Sequence, residues 1–185
     1  NDVSVAIAIG ALSSTYHLRV ARGAVPLAQL AYGKASNTET GDNLGGRRGF
    51  FAHDGVAVDG DVMVVGAPGE DSSSVATPAD NSRMESGAAY VFRRQGSRWM
   101  PEAYLKAPNA DPGDNFGSAV AVSGDLIAIG SWAEAGAATT INGDQASNAA
   151  PNAGAVYVFR RTGGAWVFDA YLKATNAQTQ EAFGE

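Results

Sequence analysis

Residues Gly87–Ala110 read GAAYVFRRQGSRWMPEAYLKAPNA, and residues Gly154–Ala177 read GAVYVFRRTGGAWVFDAYLKATNA. Sixteen of these 24 positions are identical at a constant offset of 67, a self-match that chance does not produce. Working outward, Val56-Ala57-Val58-Asp59-Gly60-Asp61, running on to Gly66, recurs at an offset of 64 as Val120-Ala121-Val122-Ser123-Gly124-Asp125, running on to Gly130. A third block, Gly41-Asp42-Asn43-Leu44-Gly45, recurs as Gly113-Asp114-Asn115-Phe116-Gly117 and, degraded, as Gln180-Glu181-Ala182-Phe183-Gly184. The unit is therefore about 70 residues long, within the range of repeats that each form one supersecondary module.

Periodicity and turn chemistry divide the unit into four strands: Phe116–Ser123, Leu126–Gly130, Ala155–Arg161 and Trp166–Ala174. Ser123-Gly124, or Asp59-Gly60 in the other copy, supplies the positive-φ corner of a two-residue hairpin between the first two strands. Thr162-Gly163-Gly164, or Gln95-Gly96-Ser97, turns the third strand into the fourth. The first two strands are apolar without alternation, as in strands covered on both faces. The outer two alternate more, large apolar and charged residues sharing Tyr157-Val158-Phe159-Arg160 and Tyr171-Leu172-Lys173, as expected near a solvent-facing edge.

Four-stranded units in tandem point to an all-β chain, a partial β-propeller built of such blades. A β-solenoid is the competing architecture, although its repeats are usually shorter, about 20 to 30 residues. Phe116-Gly117 at the start of a repeat and Gly66-Ala67-Pro68 at the end of a second strand resemble the FG-GAP repeat of integrin-α-like propellers. The order AYLKA, then N-A-x-x-G-D-N-F-G, then S-G-D, then G-A-x-Y-V-F is similar to bacterial FG-GAP proteins of surfaces and secreted multidomain chains. The resemblance covers Ala31–Glu185. It divides the chain into a divergent partial blade over residues 1–40, blades over 41–110 and 111–177, and the start of a further repeat at 178–185. In the divergent part, Val3–Gly10, Tyr16–Arg22 and Leu27–Ala35 stand for a second, third and fourth strand. Leu44 replaces the motif's Phe, about eight residues are inserted at Gly46–His53, and Ser131-Trp132 stands for Ala-Pro, which leaves the register of the first copy open. Propellers close with about four to eight blades. A chain with between two and three units is therefore expected to be part of a longer polypeptide, or to complete a ring with other short chains.

Composition removes several function classes. Thirteen Lys and Arg against 19 Asp and Glu give a net charge of -6, which disfavours a phosphate-tracking surface, so nucleic acid is not an expected partner. With no cysteine there are no disulfides, thiolate metal sites or cysteine nucleophiles. The apolar run Val3–Leu12 is about half the length of a membrane-spanning helix and reads as a strand, so no transmembrane segment is expected. A leftover signal-peptide segment is the alternative reading, though no basic residues precede the run. The only two histidines are His17 and His53, the sequence has no G-x-S-x-G elbow, and no phosphate-binding glycine loop is present. No catalytic constellation appears, and an enzyme is not expected. Asp42 and Asp114, recurring at one place in the repeat, read as turn formers.

The binding candidates sit in the long connections between second and third strands, Gly69–Ser86 and Ser131–Ala153, which exceed the usual loop length. In the second, Asn142, Asp144 and Asn148 surround Gly143 with oxygens that a calcium ion accepts; in the first, Glu70, Asp71, Asp80 and Asn81 do the same. Asx-turns explain either set equally simply. Trp132, absent from the other copy, is the candidate for contact with a partner. The recurring pairs Trp99/Trp166, Tyr90/Tyr157 and Tyr104/Tyr171 read as blade-to-blade packing. The resemblance implies a non-catalytic, extracytoplasmic binding or adhesion module that meets a surface protein or glycan. A structural subunit completed by neighbouring chains is the alternative.

Overall fold

The computed structural model describes residues 2–9, 12–19, 34–37, 39–46 and 55–185. They contain ten strands and no helix: β1 (Asp2–Ile9), β2 (Leu12–Arg19), β3 (Val56–Asp59), β4 (Val62–Ala67), β5 (Ala88–Gln95), β6 (Arg98–Leu105), β7 (Phe116–Ser123), β8 (Leu126–Ser131), β9 (Ala155–Thr162) and β10 (Ala165–Leu172). The chain divides into two compact units, residues 1–30 and 31–185. In the first, β1 and β2 pair antiparallel from Asp2↔Arg19 to Ile9↔Leu12. The second strand of this hairpin thus begins four residues before the expected Tyr16. The strand expected over 27–35 lies almost wholly outside the described residues; Lys34 and Ala35, which are described, are not in a strand.

In the second unit, two four-stranded sheets each run in sequence order, β3-β4-β5-β6 and β7-β8-β9-β10, every neighbour antiparallel. These are meanders, as propeller blades are, and not the parallel coils of a solenoid. The register left open in the first copy equals that of the second: Val56 faces Val65 just as Val120 faces Ile129, 64 residues on. The insertion lies before this pairing, and most of it falls outside the described residues.

Burial separates the blades' two faces. Val62, Val64, Ala89 and Val91 of the first sheet pack in one cluster with Val120, Ile127, Ile129, Tyr157 and Phe159 of the second, and this is the main core. The opposite face of the first sheet, with Val65, Tyr90 and Phe92, forms a second cluster with Ala35. The first strand corrects the expectation of burial on both faces. As a sheet edge, β3 leaves Val56 and Val58 exposed. Strands β5 and β9 carry nearly the same sequence, yet β5 is buried at five successive residues while β9 alternates. The difference is packing: Ala89 and Val91 meet the second sheet, whereas Val156 and Val158 lie on that sheet's outer face.

Glycines set how closely the blades approach. The opening motif of the second blade runs along the entry to β5, with backbone bonds from Gly113 N to Met84 O (2.9 Å), Asn115 N to Glu85 O (2.9 Å) and Phe116 N to Ser86 O (3.1 Å). Residues 180–183 repeat this on the second blade, where Gln180, Ala182 and Phe183 bond Pro151, Asn152 and Ala153, each at 3.0 Å. At the crossing, Gly117 has φ +90°, and a Cβ there would overlap the carbonyl oxygen of Ala88; one on Gly66 would overlap that of Gly117. The Phe-Gly and Gly-Ala-Pro motifs are thus two sides of one backbone contact. Gly117→Val is therefore expected to cost at least about 3 kcal/mol in urea unfolding, whereas Gly96→Ala, with nothing within 4 Å of its Cβ, costs about 1 kcal/mol.

Candidate functional site at the loop end of the blades

Because each sheet is an antiparallel meander, alternate connections lie at opposite ends. One end carries the tight turns at Gly60, Gly96, Gly124 and Gly163; the other carries the long connections 68–87 and 132–154 together with the links 106–115 and 173–183. A polar cluster is buried beneath each long loop. In the first blade, Lys106 Nζ donates to Glu70 Oε2 (2.9 Å) and to Ser86 Oγ (2.8 Å), with both charged side chains 2% exposed. Ser72 Oγ donates to the same Glu70 oxygen (2.9 Å) and meets the Tyr104 hydroxyl at 2.6 Å. In the second blade, Lys173 Nζ donates to Glu134 Oε2 (2.8 Å) and Gly154 O (2.6 Å), and Tyr171 OH donates to Glu134 Oε1 (2.9 Å).

The segment preceding each blade completes its cluster. Asn37 donates from Nδ2 to Glu70 Oε1 (2.9 Å) and to Pro78 O (2.6 Å), and accepts the Tyr90 hydroxyl at Oδ1. Asn109, in the link after β6, donates to Glu134 Oε1 (3.4 Å) and Gln145 O (2.9 Å) and accepts from Tyr157 OH (2.7 Å). Each loop is thus pinned from below and from the side. Further ties are Arg83 to Asp111 (2.9 Å) and Asn148 to Asp111 (2.9 Å). At the opposite end, Arg93 and Arg161, one from each blade, share Glu102 at 2.9 Å.

Residues 99–159, from β6 of the first blade to β9 of the second, match the FG-GAP repeat. The chain therefore carries an FG-GAP repeat over this span. No curated protein matches it. FG-GAP repeats are typically ligand-binding or adhesion modules on a non-enzymatic fold, and typically extracellular. Among the described residues, no helix is long and apolar enough to cross a membrane. The matched span begins one strand before the second blade, so the FG-GAP sequence unit straddles the blade contact.

Each candidate metal ligand read from the sequence has hydrogen-bond partners of its own. Asn142 Oδ1 accepts from Tyr171 N (2.8 Å), Asp144 Oδ1 accepts from Ala146 N (2.9 Å) in an Asx-turn, and Asn148 binds Asp111. In the first loop, Glu70 is the counter-ion of Lys106, Asp71 accepts from Glu85 N (2.7 Å), and Asp80 accepts from Ser73 (2.5 Å). The Ser73 hydroxyl, with help from Ser82, holds Asp80 below its ordinary pKa. Among the described residues, no three His, Asp or Glu side chains gather as a metal site requires. Trp132 is half-buried in the turn after β8. His17 lies on β2, and His53 lies outside the described residues. The Lys–Glu–Asn cluster was not anticipated as a unit. Its signal was present in the recurrence of K-A-x-N and of Glu after the second strand.

The repeating aspartates do form turns, since Asp42 accepts from Glu39 N (2.7 Å) and Asp114 from Asp111 N (2.9 Å). Burial, followed by the negative charges of Glu134 and Asp111 and against the pull of Lys173, raises Asp114 to about 7. The folded state therefore binds a proton that the unfolded state, near 3.8, releases earlier, so stability falls as pH rises from about 4 to about 7. Asp114→Asn keeps an oxygen for the Asp111 N–H, and is expected to remove most of this fall when urea midpoints are compared at pH 5, 6 and 8.

Proposed function

We propose that the chain is a non-catalytic, extracytoplasmic binding or adhesion module that meets a protein or glycan partner through the long loops of its blades. The observation that carries this reading is that loops pinned by buried polar clusters still expose large apolar side chains: Val75 at 57%, Met84 at 70% and Ile141 at 67%. Apolar side chains held out on an ordered loop contribute to association at little ordering cost. Trp132, half-buried at the base of the same loop as Ile141, is the proposed aromatic anchor. Asp144 Oδ2 and Asn148 Oδ1 lie outside the hydrogen bonds these residues make, so calcium at Asn142, Asp144 and Asn148 is tested by running the assay below with and without chelator.

The second reading is a structural subunit covered by neighbouring chains. It is favoured by the outer face of the second sheet, where Leu126 is 39% exposed although its counterpart Val62 is 6% exposed. Binding of the purified chain to intact cells and to a glycan array tests the two. Trp132→Ala and Ile141→Asp are expected to weaken binding at least about tenfold with the urea midpoint unchanged. Undiminished binding by both variants, with self-association that Leu126→Asp abolishes, would favour the structural subunit.

A further inference from the structure

The two buried clusters place an amine, a carboxamide and a carboxyl group in one hydrogen-bonded set. In each, a single glutamate spans the other two groups: Glu70 takes Lys106 Nζ on one oxygen and Asn37 Nδ2 on the other, and Glu134 does so with Lys173 Nζ and Asn109 Nδ2. The asparagine carbonyl oxygen meets a phenol, Tyr90 in the first cluster and Tyr157 in the second. An amine, its proton acceptor, the nitrogen that would leave, and a donor on the oxygen that would gain charge are therefore all present, the amine and carboxylate buried and the asparagine half-buried. We infer that Lys106 forms an intramolecular amide bond with Asn37, and Lys173 with Asn109, with Glu70 and Glu134 as the proton carriers.

The step balances without any co-reactant. The glutamate carboxylate takes a proton from the lysine ammonium, and the neutral Nζ attacks Cγ of the asparagine. The tyrosine hydroxyl holds the negative Oδ1 of the tetrahedral adduct. The glutamic acid returns its proton to Nδ2, the Cγ–Nδ2 bond breaks and ammonia departs. The same carboxylate then takes a second proton from the attacking nitrogen and ends as a neutral acid beside the new amide. Burial supports the proton transfer between lysine and glutamate. Lys106 and Glu70 are 2% exposed, and Lys173 and Glu134 are 0% and 1% exposed. Desolvation lowers the pKa of Lys106, favouring its nucleophilic form, while burial holds Tyr90 and Tyr157 far above the phenol range and so keeps them donors.

Each bond would tie the asparagine ahead of a blade to the residue that follows the fourth strand of that blade. It would join neighbouring modules covalently in a chain that has no cysteine. Intact mass of the purified chain under denaturing conditions tests the inference, followed by peptide mapping. The expected result is a mass below the sequence value by one ammonia per bond, two in all, with peptides linked through Lys106–Asn37 and Lys173–Asn109. Lys106→Arg with Lys173→Arg, which keeps both positive charges, is expected to show its full sequence mass; Glu70→Gln with Glu134→Gln should do the same, folded or not. A wild-type chain at its full sequence mass overturns the inference. So does a loss of ammonia that maps to a succinimide on a single peptide.

Discussion

A charged pair with no access to water stands at the loop end of each blade. Burying Lys173 and Glu134 costs several kcal/mol per ion unless every remaining donor and acceptor is met. Here the requirement is satisfied by groups from four separate segments: the long loop, the fourth strand, the third strand and the link from the preceding blade. Since Asn109 belongs to the preceding link, the second blade's interior is completed by its neighbour. The same relation holds between Asn37 and the Glu70–Lys106 pair. A polar interior of this kind fixes one arrangement, because a shifted register would strand a buried charge.

Around that constraint the glycine crossings act as a second lock. Gly66 and Gly117 allow two backbones to approach where any side chain would collide, and Gly130 and Gly184 do the same one unit later. Apolar contact fills the remainder, with Phe116 in edge contact with Tyr157 (5.3 Å between ring centres) and with Phe159 (6.2 Å). Tyr157 and Tyr171 therefore have two roles, their rings filling the wedge between blades and their hydroxyls completing the ionic cluster. The loops inherit their order from this base, which is why apolar side chains can stand exposed on them.

Much of the fold was legible in the sequence. Repeats of about 70 residues, Ser-Gly and Asp-Gly hairpins and the run Phe116–Ser123 gave strands that agree with the structure to within a residue or two. The exposed first strand and the continuous burial of β5 were not legible, because exposure depends on what lies against a face, and the same YVF pattern serves a covered strand and a partly open one. Glu70 shows why the site was harder to read. Among Asp71, Asp80 and Asn81 it looks like one more loop oxygen, and only the third dimension brings it to a lysine 36 residues away. Asn37 and Asn109 gave a signal only as members of a repeat, since an isolated Asn after a strand reads as a turn.

The claim on which this account depends is that Asn109 and Glu134 act together across the blade contact. A double-mutant cycle on urea unfolding measures it directly, with Asn109→Ala, Glu134→Gln and the double variant compared against wild type. Groups that share one buried network are expected to couple by about 1 to 2 kcal/mol, the double variant losing less than the two single losses together. Losses that add to within about 0.5 kcal/mol would show that the two groups act independently, and would contradict the account.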